Sequence, residues 1–394
     1  MLNKINELCE KHYEKIVEIR HQLHMYPEVG YNEFKTSELV ATELKKLNLE
    51  VKEAVAKTGV VALLKGNYPG KTILLRADMD ALRVDEETDL EFKSKIPGVM
   101  HACGHDGHTA SLLGAAMILS ELKDELHGNI KFMFQPDEEI DGGAKPMIDE
   151  GILENPHVDA AFAGHLWGEL KEGMVGVKHG PMMASPDIFN IKIIGKGGHG
   201  GVPQNAIDPI PILSQVINTF QTIVSRKNNP VNPLVLSCCH VKAGNTDCHN
   251  AIPTEAILGG TIRTFDEKTR SWVEKTMEDI LRGITTCQGA TYKYEYIRQF
   301  PPLVNDTYMT DLAMSSIKKV VGQENVFELS EPSMGGEDFA YLAKEVPATF
   351  VFVGIAEDEN NPILHHNSKF QWDDKNMKIL CKTLCQVSID YLNS

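Results

Sequence analysis

The sequence lacks paired Cys-x-x-Cys spacing, long uncharged apolar runs, internal repeats and an excess of positive charge, and each absence removes a class of protein. Its eight cysteines (Cys9, Cys103, Cys238, Cys239, Cys248, Cys287, Cys381 and Cys385) are scattered. That excludes a disulfide framework, counts against a structural zinc in a polar loop without ruling it out, and predicts reduced thiols. Cys381 and Cys385 stand four apart in an apolar terminal stretch, where they read as small core residues. No window is long and uncharged enough to span a bilayer, and Met1 to Arg20 mixes charge throughout, unlike a signal peptide, so a cytoplasmic location is expected. With 39 basic against 55 acidic residues the formal charge is -16. Such a field repels phosphate backbones and anionic lipid headgroups, so neither nucleic acid nor a membrane is expected as a partner. A small anionic substrate stays open, because positive groups inside a cleft can outweigh the average field.

At 394 residues, 42% of them hydrophobic, the chain exceeds one ordinary core, and two domains are expected, one inserted in the other. The first third alternates: a helix over 32–47, strands near 60–64 and 72–77, a helix over 109–122, then strands at 130–134 and 160–163. That alternation predicts an α/β fold with a mostly parallel central sheet covered by helices. From about residue 184 the order becomes strand, helix (209–225), two strands (234–241 and 255–264), helix (267–287) and strand (291–297). This βαββαβ order is that of a ferredoxin-like α+β unit. The α/β character then returns, with a strand at 349–353 and a long terminal helix. The expected division is a discontinuous catalytic domain, residues 1–184 and 298–394, interrupted by an inserted lid or dimerisation domain over 185–297.

Chemistry concentrates in His101-Ala-Cys-Gly-His-Asp-Gly-His108, where three histidines, a cysteine and an aspartate occupy eight positions. Imidazole and thiolate are donors for borderline transition metals, and a divalent cation satisfies several of them at once. In parallel sheets ligands collect beyond the carboxyl ends of strands. Asp78 and Asp80, Glu138 and Glu139, and His165 are each expected there, at three different strand ends. In Gln135-Pro-Asp-Glu-Glu139 two adjacent carboxylates repel each other unless something positive stands between them, and a metal does this while leaving one carboxylate to take a proton from water. An exposed loop of helix-N-terminal acids is the plainer reading of that segment. Leu364-His-His366 adds two more imidazoles.

Seven motifs in fixed order then carry a resemblance. Arg76-Ala-Asp-Met-Asp-Ala81, the His101 to His108 run, the Gln-Pro-x-Glu-Glu loop, Gly197-Gly-His199, Asn250-Ala-Ile-Pro253, Gly260-Thr-Ile-Arg263 and Gly335-Gly-Glu-Asp-Phe339 resemble the aminoacylase and carboxypeptidase clan of two-metal hydrolases. The branch is that of hippurate and auxin-conjugate hydrolases, and the likeness runs from His21-Gln-Leu-His24 with Pro27-Glu28 to His366. It implies two divalent metal ions (zinc or manganese, with cobalt or nickel as alternatives) held by Cys103, His105, Glu139, His165 and His366. It further implies Glu138 as general base, His199 as the lid residue that stabilises the oxyanion, Asn250 as a second lid residue reaching the substrate, and Arg263 as the fork that grips a substrate carboxylate. Asp80, and more weakly Asp106, would orient a ligand. The clan places a metal-binding histidine where this chain has Asp78, and most of the branch has proline at Arg83 and alanine at Asp137. An extra carboxylate at Asp137 is expected either to raise the pKa of Glu138 or to change metal preference.

The activity so implied is hydrolysis of the amide of an N-acyl amino acid by metal-activated water, in a homodimer or higher oligomer joined through the lid. Three alternatives share parts of the pattern. A carboxypeptidase or dipeptidase of the same clan uses the same amide and terminal carboxylate. A cysteine hydrolase would pair Cys103 with His105 or His108, at a spacing poor for that purpose, and leaves Glu138, Glu139 and His366 unexplained. A non-catalytic module would bind an acyl amino acid without cleaving it.

Overall fold

The computed structural model describes residues 1–358 and 360–394. In chain order the elements are α1 (Leu2–Met25), α2 (Phe34–Lys46), β1 (Glu50–Val55), β2 (Gly59–Lys65), β3 (Tyr68–Asp78), α3 (His105–Glu121), β4 (His127–Gln135), α4 (Ala144–Asp149), β5 (Ala160–Lys171), β6 (Val175–Val177) and β7 (Gly180–Met183). They continue as β8 (Ser185–Ile194), β9 (Gly198–His199), α5 (Pro209–Thr222), β10 (Leu234–Ala243), β11 (Ala251–Ile252), β12 (Glu255–Thr264), α6 (Glu267–Cys287) and β13 (Thr291–Ile297). The last are β14 (Leu303–Asn305), α7 (Thr307–Val321), β15 (Val326–Glu328), α8 (Ala340–Glu345), β16 (Ala348–Ala356) and α9 (Met377–Leu392). The chain forms two compact units, one of residues 1–180, 304–331 and 338–394, the other of residues 181–303 and 332–337.

The first unit is built on an eight-stranded sheet of order β1-β2-β4-β3-β5-β16-β6-β15. Its centre, β4-β3-β5-β16, is parallel, while β1, β2 and β6 run antiparallel to a neighbour. Central strands of this kind are covered on both faces, and β3 accordingly carries the unbroken buried run Ile73-Leu74-Leu75. Helix α3 is buried on every side from His105 to Leu119, because α1, α9 and β3 all pack against it. The register sets up the site: Asp78 pairs with Gln135, so the residues following β3 meet the loop following β4. Strand β5 is longer than the sequence pattern predicts, and His165 lies within it, opposite Phe352 of β16, instead of beyond its end.

The second unit has a four-stranded antiparallel sheet of order β10-β12-β8-β13 with helices α5 and α6, the ferredoxin-like order. Its core includes Phe189, Val216, Phe220, Leu258 and Met277. A buried carboxylate, Asp187, is fully engaged there by Arg270 at 2.6 and 2.8 Å and by the Tyr296 hydroxyl at 2.8 Å, which is how a charge survives in a core. Among the described residues no helix is long and apolar enough to cross a membrane.

Candidate metal centre

Cys103 and His105 stand at the entry of α3, whose preceding residue Gly104 has φ +90°, a left-handed conformation that glycine adopts without steric cost. That turn aims His105 toward Asp80, just after β3, and Cys103 toward His165 in the middle of β5. Cys103 Sγ lies 3.5 Å from His165 Nε2. His105 Nε2 is 3.8 Å from Glu139 Oε1, and the same oxygen is 3.3 Å from His366 Nε2. Donor atoms of Cys103, His105 and His165, of Cys103, Glu139 and His366, and of His105, Glu138 and Glu139 form three sets whose members lie within 4.8 Å of one another. All five expected metal donors and the expected base are thus together in the first unit. His366 reaches them from an exposed loop, its own φ at +63° and its N–H bonded to the Ala102 carbonyl at 2.8 Å.

The imidazoles are held in defined tautomers. His105 Nδ1 donates to the Asp80 carbonyl at 2.9 Å, with Asp80 Oδ1 at 3.3 Å, which leaves its Nε2 as the free donor, without a hydrogen-bond partner among the described residues. His165 Nδ1 donates to the Leu166 carbonyl at 2.8 Å, so its Nε2 also faces the centre. His365 donates to the same carbonyl at 2.9 Å; of the Leu364-His-His366 pair it is therefore a support, not a donor to the centre. Metal-binding imidazoles are normally oriented by such bonds at the other ring nitrogen.

Asp80 also organises the loop after β4. Its Oδ1 accepts from Glu138 N and its Oδ2 from Glu139 N, each at 3.1 Å. Asp78, where the clan has histidine, is fully buried and engaged by Arg76 and His108 at 2.6 Å each. His108 in turn accepts from Leu166 N at 2.9 Å. Asp106 turns away to accept from Arg20 at 3.1 Å and His24 at 2.9 Å. It anchors α1 to α3, which corrects the expectation that it orients a ligand. The Asp137 carboxylate accepts from Asp141 N at 3.0 Å, which ties it to its own loop. Sequence reasoning missed Leu166, whose contribution is its peptide group, and Glu33, whose carboxylate accepts from Asp137 N at 2.9 Å.

The electrostatics fit a cation. Burial raises the Cys103 thiol, and Glu139, Glu138 and Asp78 raise it further; a thiol so placed is a poor unassisted nucleophile and a good ligand once a cation offsets the negative field. Burial opposes charge on His105, yet Asp78, Asp80 and Glu139 outweigh it and push that imidazole up to about 10. His165 is driven well below its ordinary value by burial and by the neighbouring His108 and His365. Excess negative charge, a His105 nitrogen without a hydrogen-bond partner among the described residues and a neutral His165 suit a divalent metal, which would take the place of the proton that the carboxylates otherwise hold on His105.

In the second unit, β9 pairs with β11, and His199 stands opposite Ala251. Gly200 N donates to the Asn250 carbonyl at 2.7 Å, so the backbones of the His199 and Asn250 segments are joined there, and both residues are exposed. His199 Nδ1 accepts from Gly201 N at 2.9 Å, so the neutral ring carries its proton on Nε2. Arg263 stands apart from them, near the far end of β12. It is half-buried, and its Nε donates to the Met334 carbonyl at 3.1 Å.

Residues 74–389 match the model of peptidase family M20/M25/M40, and the chain belongs to that family. It is 45% identical to the N-acyl-L-amino acid amidohydrolase of Geobacillus stearothermophilus over 77% of this chain and 81% of that protein. It is 42% identical to thermostable carboxypeptidase 1 of Saccharolobus solfataricus over 92% of each. Among solved structures it is similar to the Bacillus subtilis YXEP protein, a dinuclear metal binding peptidase of the M20 family, with a TM-score of 0.85, 33% identity and coverage of 98% and 99% of the two chains.

Proposed function

We propose that this chain is a metal-dependent amidohydrolase that splits N-acyl amino acids into a carboxylic acid and a free amino acid. The observation that carries the reading is the convergence of Cys103, His105, Glu139, His165 and His366, with Glu138 beside them. These five would hold two divalent cations, which supply positive charge that acidifies water and polarises the scissile carbonyl. One thiolate among imidazoles suits zinc, and manganese, cobalt and nickel accept overlapping sets. Glu138, 7% exposed, takes the proton from the attacking water and passes it to the leaving amine. Asp80 keeps that carboxylate and Glu139 aimed through their backbone N–H groups. His199 donates its Nε2–H to the developing oxyanion, Asn250 contacts the acyl amino acid beside it, and Arg263 pairs with the substrate carboxylate. The partner is thus a small N-acyl amino acid. A homodimer or higher oligomer through the second unit belongs to the same proposal, supported by the exposed outer half of edge strand β10, as does a cytoplasmic location.

The test is exhaustive chelation followed by reconstitution with each metal, read against acetyl, benzoyl and indoleacetyl amino acids and against dipeptides. Activity should vanish with the metal and return with it, and Glu138→Gln should lower kcat by about 10²–10⁴-fold with metal content intact. Turnover that survives metal removal contradicts the proposal, and turnover confined to dipeptides favours the carboxypeptidase reading.

A further inference from the structure

The loop Gln135–Glu139 carries three successive backbone N–H groups, and each ends on a buried carboxylate. Asp80 takes those of Glu138 and Glu139. The first, Asp137 N, donates at 2.9 Å to Glu33 Oε1, on a residue more than a hundred positions earlier in the chain. Glu33 occupies the N-cap position of α2 but makes no side-chain capping bond. Glu28 does that instead, accepting from Lys35 N and Thr36 N at 2.9 Å each. The Glu33 side chain is turned inward and is wholly buried. Its second oxygen accepts from the Thr58 hydroxyl at 2.7 Å, so both ends of the carboxylate are fixed.

Asp137 needs such a restraint. Its φ is +50°, a left-handed conformation that aspartate tolerates better than most residues but still at a cost that glycine does not bear. The loop is closed around it by Gly142 N to the Asp137 carbonyl at 3.0 Å and by the bond from Asp141 N. The chain beside Glu33 is shaped to receive it, since a Cβ at Gly30 would fall 1.6 Å from Asp137 Oδ1. The Asp137 conformation sets the direction in which the next two residues leave, and those are Glu138 and Glu139.

We propose that Glu33 is a positioning residue for the reaction: it clamps Asp137 N–H, holds that residue left-handed, and thereby aims the base Glu138 and the metal donor Glu139. The inference rests on the roles given to Glu138 and Glu139 above. The clamp needs an acceptor, not a charge. Both protonation states of Glu33 offer an oxygen to Asp137, and the Thr58 hydroxyl can reverse its role.

The experiment uses the full chain and compares Glu33→Ala, Glu33→Gln and Glu33→Ala combined with Asp137→Gly. Three quantities are read: amide hydrogen exchange of the peptide covering residues 135–143, zinc affinity by chelator competition, and kcat and KM of the metal-loaded protein. Glu33→Ala should lose protection in that peptide, weaken zinc about tenfold, and lower kcat by a similar factor with KM within about twofold. Glu33→Gln should recover most of each loss. Asp137→Gly should recover part of it in the Glu33→Ala background, because glycine adopts that φ freely. If Glu33→Ala does not fold, Glu33→Asp, too short to reach both partners, carries the same expectations. Wild-type protection and zinc affinity in Glu33→Ala would overturn the proposal. So would a loss that neither Glu33→Gln nor Asp137→Gly relieves, which would make Glu33 a core-stability residue. A wild-type chain that hydrolyses no N-acyl amino acid, but whose loop and zinc affinity respond as stated, would remove the catalytic reading and leave the clamp standing.

Discussion

Replacing Asp80 by asparagine exchanges one oxygen for an NH2 group and tests the support of the metal centre. The carboxylate is buried, and its two oxygens receive Glu138 N and Glu139 N at 3.1 Å while Oδ1 also faces His105 Nδ1. An amide of the same shape has one acceptor oxygen, so whichever way it turns, one of the two loop N–H groups meets an NH2. A buried donor left without an acceptor costs about 1–3 kcal/mol. Taking ~2 kcal/mol, and ~1.4 kcal/mol per factor of ten, cation affinity should fall about 30-fold. The fold itself should lose less, because removing one negative charge also relieves repulsion among Asp78, Glu138 and Glu139. Chelator competition gives the affinity, and thermal unfolding of the cation-free protein gives the stability. Wild-type affinity in Asp80→Asn would refute the orienting role. A collapse in melting temperature with affinity unchanged would show that the carboxylate serves the fold alone.

Two further outcomes follow from buried charges away from the donors themselves. Burial holds the Glu33 carboxyl up at about 7, so the folded chain keeps a proton that the unfolded chain releases near 4.5. The stability it contributes is therefore fully present below about pH 4.5 and is lost as pH rises toward 7, amounting to roughly 3 kcal/mol. Urea titrations of the cation-free protein should show Glu33→Gln gaining on the wild type across that window, and parallel profiles would contradict the assignment. Lys131, buried on β4, donates to the carbonyls of Ile152, Glu154 and Pro156 at 2.8, 2.6 and 2.8 Å. Lys131→Met should destabilise by ~2 kcal/mol with kcat unchanged, and an unshifted urea midpoint would count against that role.

Much of the architecture was legible because its signals are local. The short apolar runs of β3, β4 and β5, and the strand–helix order of the second unit, follow from periodicity. The 24-residue helix α1 was not foreseen, although Ile5, Cys9, Ile16, Ile19 and Leu23 line its buried side, because charged residues fill the intervening positions and two of its buried residues, Arg20 and His24, are themselves polar. Strands β6 and β15, of three residues each, are too short for a periodic signal. At the site, the donors could be named from residue type. Of the groups that orient them, Asp80 could be named too, but the Leu166 carbonyl could not, since it belongs to the backbone, nor could Glu33, which is linked to the loop only through tertiary structure. The behaviour of Asp137 depends on a left-handed backbone angle, which aspartate tolerates but does not by itself announce.

The central claim, that side chains distant in the chain share one cation centre, is tested most directly by X-ray absorption at the zinc edge on the reconstituted full chain. The account predicts nitrogen and oxygen scatterers together with a sulfur at about 2.3 Å, the sulfur disappearing in Cys103→Ser while zinc remains bound. A spectrum without sulfur in the wild type, or one unchanged by Cys103→Ser, would contradict it.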